Sequence, residues 1–215
     1  MISSVYKCIF IEVPKTGSTS IRTIVGEPLK AHMDIREYRK KITTGFPFDR
    51  SKYSLDKLVY NTFVPASVKE KRGEQIFNEY YKFGFVRNPW SRVVSLYLRK
   101  ESIQMRDKMT FEEFADWINY SSDTCVHPSQ KRNQLDWFLD EKGEVAVDFI
   151  GKFENLENDW KIIAEKIHAD PVLPHANLNT ISKQKHYSEY YTDKTKEIIR
   201  KKFIVDVEKF GYDFI

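Results

Sequence analysis

The sequence predicts an α/β fold built on a mainly parallel sheet, and three observations carry that prediction. Short runs rich in Ile, Phe, Val and Tyr alternate with longer amphipathic stretches. The first run is apolar with almost no alternation, as a strand covered on both faces of a parallel sheet must be. Two of the runs pass through a tight turn straight into a helical pattern, at Pro14–Ser20 and at Arg87–Ser91. A chain of 215 residues, 41% apolar and 14% aromatic, can bury a large core. No repeat, low-complexity linker or firm boundary divides it, so a single domain over 1–215 is expected.

Taken in order, residues 6–13 read as the first strand and 18–25 as a short helix. His32–Lys41 contains a helix whose start is marked by Asp34. Residues 42–66 carry Gly45, Pro47 and Pro65 without clear periodicity and read as loop with one short helix; 67–80 read as a charged helix. YKFGFV at 81–86 is a second strand, and Ser91–Gln104 an amphipathic helix after the RNPW turn, where Pro89 presets the backbone. Thr110 with Glu113 forms a capping box for a helix over 110–119. Residues 121–130 are polar loop, and Gln134–Leu139 is helical. Val145–Ile150 is a third strand ending at Gly151, followed by a helix at Asn155–Ile167. Residues 169–186 form a polar loop with two prolines. Thr192–Phe210 is one long amphipathic helix. Trp117, Trp137 and Trp160 sit at helical spacing from other apolar residues and are expected in the core, His168 ends a helix, and Trp90 packs beneath its turn.

The formal charge is +4, which suits an anionic ligand but is too small to argue for nucleic acid. The cysteines, Cys8 and Cys125, form no CxxC or Cys/His cluster, so neither a zinc site nor a disulfide framework is expected. The apolar run near the start is too short for a membrane span and lacks the basic start of a signal peptide. A cytoplasmic protein without a membrane span is the expectation.

The segment Lys7–Ile24, KCIFIEVPKTGSTSIRTI, builds an anion site from a strand, a turn and a helix start. Gly17 permits the tight turn, and the helix offers free backbone N–H groups at its positive end. Thr16, Ser18, Thr19 and Ser20 add hydroxyls, and Lys15 adds a charge. The nucleotide loop G-x-x-x-x-G-K-[ST] has the opposite order of lysine and glycine, so an ATPase or GTPase fits poorly. A Lys-Thr-Gly-Ser turn is also an ordinary surface turn. In the second segment, FVRNPWSRVVSLY at 85–97, Arg87 at the strand end can fork onto a phosphate and Ser95 can donate its hydroxyl. A surface arginine beside a core-facing helix is the alternative.

Together the two segments resemble the cofactor signatures of PAPS-dependent sulfotransferases, in the branch of carbohydrate sulfotransferases and their bacterial relatives. PKTGSTS is similar to the 5′-phosphosulfate loop and FVRNPWSRVVSLY to the 3′-phosphate site; DFIGKFENL at 148–156 and the segment 186–214 are similar to further family patterns. The match is weak over 42–80 and 105–133, where acceptor specificity is expected to lie. The resemblance implies a P-loop nucleotide-kinase-like fold, with a central parallel sheet of about five strands flanked by helices. It implies PAPS (3′-phosphoadenosine 5′-phosphosulfate) as donor, PAP as product, no metal, and a hydroxyl, less readily an amine, of a glycan or small molecule as acceptor. Lys15, Thr16, Gly17, Ser18, Thr19 and Ser20 would hold the 5′ end, Arg87 and Ser95 the 3′-phosphate, and Lys15 would also neutralise the bridging oxygen. A basic loop with Ser182, Lys183 and Lys185 would close over the nucleotide. His32 is the expected base, with Asp34, Glu37 and Glu12 as alternatives. A kinase using ATP, or a PAP-binding protein without catalysis, remains the competing expectation.

Overall fold

The structure, a computed structural model, describes residues 1–26, 32–45, 55–99, 107–119, 131–174 and 185–215. Its sheet contains β1 (Ile2–Ser3), β2 (Cys8–Ile11), β3 (Tyr81–Val86) and β4 (Phe149–Lys152), side by side in that order. β2, β3 and β4 run parallel, and β1 lies antiparallel to β2. Four strands, against an expectation of about five, are present among the described residues, and the two-residue β1 is too short to leave a sequence signal.

Helices flank the sheet: α1 (Ser18–Val25), α2 (Ile35–Thr44), α3 (Leu55–Phe63), α4 (Ala66–Glu79), α5 (Pro89–Tyr97), α6 (Phe111–Trp117), α7 (Leu156–Ile167), α8 (Asp193–Lys202) and α9 (Ile204–Phe210). The alternation of β2 explains its unbroken apolar run. Ile9 and Ile11 enter a core with Tyr38, Trp90, Phe114, Trp137, Ile199 and Phe203. Cys8 and Phe10 enter the opposite core with Ile21, Phe83, Phe85 and Trp160. Phe10 and Phe83 stack at 5.1 Å between ring centres. Burying each such ring contributes about 1.5–3 kcal/mol, so the paired cores fix which way β2 faces. No described helix is long and apolar enough to cross a membrane.

The structure departs from the sequence reading in several places, each with a local cause. α5 begins at Pro89, two residues early, because Asn88 caps it with its side chain. Residues 100–104 of the expected helix lie outside the described residues. β4 sits four residues later than expected at its start. Gly151 belongs inside it, since a Cβ there would meet the Phe85 ring at 2.4 Å. Val145 forms only an isolated bridge with Leu139. The expected 134–139 helix is a single 3-10 turn, Leu135–Trp137. The long final helix breaks at Phe203, whose φ of −117° departs from helical values. α2 runs on to Thr44. Trp137 and Trp160 are fully buried as expected, whereas Trp117 is 36% exposed at the end of α6.

The parallel register brings the carboxyl ends of the strands together. Ile11 pairs with Gly84 and Val86 with Lys152. The turns after β2 and β3, which contain the two sequence motifs, therefore lie next to each other along one rim of the sheet, the usual ligand rim of an α/β fold.

Candidate anion-binding site at the strand ends

Beyond β2 the chain curls through Lys15 (φ 70°) and Gly17 (φ 87°), both left-handed. Such closely spaced left-handed residues make the loop concave. The buried Thr16 turns inward, and its Oγ1 donates to the Val13 carbonyl at 2.9 Å. That proton closes the loop. Gly17 is the N-cap of α1, and no side chain accepts from the first N–H groups of that helix. α5 differs: the Asn88 carbonyl oxygen Oδ1 accepts from the N–H groups of Trp90 (3.1 Å) and Ser91 (3.2 Å). Of the two helix starts that follow β2 and β3, the α1 start is the one not closed by a side-chain cap. Ser18 and Ser20 in its first turn are half-buried and Thr19 is exposed.

Arg87 joins the two turns. Its Nη1 donates to the Lys15 carbonyl at 3.3 Å, and its Nε donates to Ser91 Oγ at 3.0 Å. Its guanidinium lies 4.3 Å from the centre of the Phe153 ring, a cation–π contact. The same ring packs against Gly17, where a Cβ would come within 2.9 Å of it. Among the described residues no carboxylate pairs with Arg87. Burial pushes its guanidinium down to about 10, partly opposed by Glu154 nearby. A half-buried cation without an ion partner carries a desolvation cost, and an anion bound here would offset it. Ser95 is half-buried one helical turn beyond Ser91, on the same face of α5.

Arg92, only 3% exposed, donates from Nε to the Pro14 carbonyl at 3.1 Å. The carbonyls of Pro14 and Lys15 are thus each held by an arginine, Arg92 from α5 and Arg87 from the turn before it. The sequence reading missed Arg92, Ser91, Phe153 and Gln134. Ser91 had a signal, its four-residue spacing from Arg87. The others meet the site only through the tertiary fold.

His32 lies beside the same loop. Its Nδ1 lies 3.0 Å from the Glu12 carbonyl, and its ring meets Trp137 edge-on at 6.3 Å. A carbonyl only accepts, so Nδ1 carries the proton and Nε2 the lone pair. Burial lowers the imidazole below its ordinary range; Glu12 opposes this, while Arg22 and Arg99 add to it. The carboxylates are otherwise engaged. Glu12 is fully buried against Arg22. Asp34 accepts from the Glu37 N–H at 2.7 Å while Glu37 accepts from the Asp34 N–H at 2.9 Å, a capping box that starts α2. Asp34 also pairs with Lys131 at 2.7 Å. Burial raises its carboxyl, but Lys131 and the Glu37 N–H outweigh this and hold it below the usual range. Lys183 and Ser182 lie outside the described residues. Lys185 is exposed and makes no bond to either turn. It leads into the Tyr187–Tyr190 turn, beyond which Tyr191 donates to the Trp90 carbonyl at 2.9 Å. Among the described residues no cluster of His, Cys, Asp or Glu could hold a metal ion.

The family model described as "Sulfotransferase family" matches residues 1–213. An uncharacterized protein of Archaeoglobus fulgidus is 34% identical over 107 residues, which span 48% of this chain and 82% of that relative. No solved structure matches the chain.

Proposed function

The chain belongs to the sulfotransferase family, and from that premise we propose that it is a single domain that moves a sulfuryl group from PAPS to a hydroxyl of a carbohydrate or small molecule. The observation that carries this reading is the contact of Arg87 with the Lys15 carbonyl. It supports reading the two turns as one site that grips both ends of one nucleotide. The 5′-phosphosulfate lies in the loop Lys15–Ser20, against the uncapped start of α1. The 3′-phosphate lies on the guanidinium of Arg87, with Ser91 and Ser95 beside it. That phosphate supplies the anion the half-buried arginine lacks.

In the transfer, the acceptor oxygen forms a bond to sulfur as the bond from sulfur to the bridging oxygen breaks. Charge grows on the bridging oxygen, and Lys15 neutralises it there. The acceptor proton passes to Nε2 of His32. That nitrogen is basic because Nδ1–H is donated to Glu12, and burial keeps the ring neutral near pH 7. PAP and the sulfate ester leave. The engagement of Asp34 and Glu37 in a helix cap favours His32 over them. The exposed Lys185 adds positive charge toward the nucleotide in this reading.

The test is transfer of label from PAPS to a panel of sugars, alcohols and amines. Wild type should transfer, and Lys15→Ala should lose at least a hundredfold in kcat. Undiminished transfer by Lys15→Ala rejects the assigned role. A thermal shift with ATP and magnesium, and none with PAP, rejects the donor.

A further inference from the structure

A buried glutamine does for Arg87 what a neighbouring strand does for the residues before it. The pairing of β3 with β4 ends at Val86 and Lys152. Arg87, one residue on, still has a backbone N–H and C=O to satisfy at a crowded rim. Gln134, fully buried, meets both. Its Oε1 accepts from the Arg87 N–H at 2.8 Å, and its Nε2 donates to the Arg87 carbonyl at 2.7 Å. These partners fix which end of the amide is oxygen, so the group has one orientation. Gln134 is itself held by Asp206 of α9. That fully buried carboxylate accepts from the Gln134 N–H at 2.8 Å and from the Leu135 N–H at 3.1 Å. A chain of hydrogen bonds therefore runs from Asp206 through Gln134 to the peptide groups of Arg87, and from its guanidinium to Ser91 and the Lys15 carbonyl.

We infer that Gln134 is a positioning residue for the 3′-phosphate, locking the backbone of Arg87 so that its guanidinium faces the anion, with Asp206 holding Gln134 in place. The inference rests on the donor reading above. It requires that Gln134 act on ligands through their 3′-phosphate and only weakly on those without one.

The experiment compares PAP with AMP, which differ by that one phosphate, using calorimetric Kd values on the full chain. Wild type should bind PAP at least a hundredfold more tightly than AMP. Gln134→Met keeps the length and loses both bonds, and it should reduce this preference at least tenfold. Gln134→Glu keeps an acceptor for the N–H but sets an oxygen against the Arg87 carbonyl, and it should reduce the preference as far or further. Loss of PAP and AMP affinity in equal proportion would show a merely structural role and overturn the inference, as would an unchanged preference. If melting curves show that neither variant folds, Asp206→Asn gives the same test: a reduced preference supports the inference and an unchanged one overturns it. A wild-type protein that does not prefer PAP overturns the donor reading itself, and the inference with it.

Discussion

Replacing Gly17 by alanine tests the geometry of the whole rim. Gly17 sits at φ 87° with its missing side chain aimed at Phe153 and Leu156. A Cβ would meet Phe153 Cδ2 at 2.9 Å, Phe153 Cε2 at 3.0 Å and Leu156 Cδ2 at 3.3 Å. The left-handed conformation costs an alanine about 1–2 kcal/mol. Forcing the ring aside costs about 1–3 kcal/mol more, as overpacking does. A total of about 2–5 kcal/mol should lower Tm by roughly 5–15 °C for a chain of this size. The ring cannot move without disturbing the guanidinium 4.3 Å above it. Misplacing a binding group by an ångström costs on the order of a hundredfold in turnover, and the sulfotransfer rate should fall by about that much. Gly143 is the control. It has a φ of 81° but nothing within 4 Å of its Cβ position, so its alanine variant bears the backbone strain alone. Differential scanning calorimetry and the labelled-PAPS assay read the two together. Equal Tm shifts for both variants, with wild-type transfer in Gly17→Ala, would refute the reasoning.

Arg87→Lys keeps the charge but cannot hold Ser91 Oγ and the Lys15 carbonyl together. PAP affinity should fall roughly 10–100-fold, or about 1.5–3 kcal/mol, by calorimetry. A His32 base, as proposed, acts when neutral, and burial lowers its pKa, so kcat/KM should rise with pH through a value below about 6.5 and be level above it. His32→Gln should abolish that limb along with most of the rate; a limb unchanged in the variant would assign it elsewhere. Asp34→Asn keeps an oxygen for the Glu37 N–H but loses the Lys131 pair. It should cost about 1–3 kcal/mol in unfolding experiments while kcat stays within about twofold. A hundredfold loss of kcat would instead mark Asp34 as the base.

The parts of this architecture that rest on local chemistry were readable from the chain. α1 starts at Ser18 and β3 spans Tyr81–Val86 as expected. Asp34 marks the start of α2 as expected, and Thr110 caps α6 as its spacing to Glu113 indicates. What failed depended on contacts between distant segments. Gly151 reads as a stop, yet it lies inside β4 because the Phe85 ring occupies the space of its side chain. The break at Phe203 has no glycine or proline to announce it. The start of α5 is capped by a side chain and the start of α1 is not, although both follow a strand in the same manner. Gln134 could not be singled out, since an isolated glutamine carries no sign of the peptide it will meet 47 residues away.

The two arginines that hold the carbonyls of Pro14 and Lys15 fix the polarity of the loop in advance. A carbonyl oxygen turned toward an incoming sulfate would repel it, and a peptide plane free to rotate would present its oxygen part of the time. With both carbonyls engaged by guanidinium N–H groups, neither peptide plane turns freely, and the loop's orientation is set before any anion arrives. An anion approaching the loop thus meets a backbone that is already oriented and does not wait for a peptide to flip.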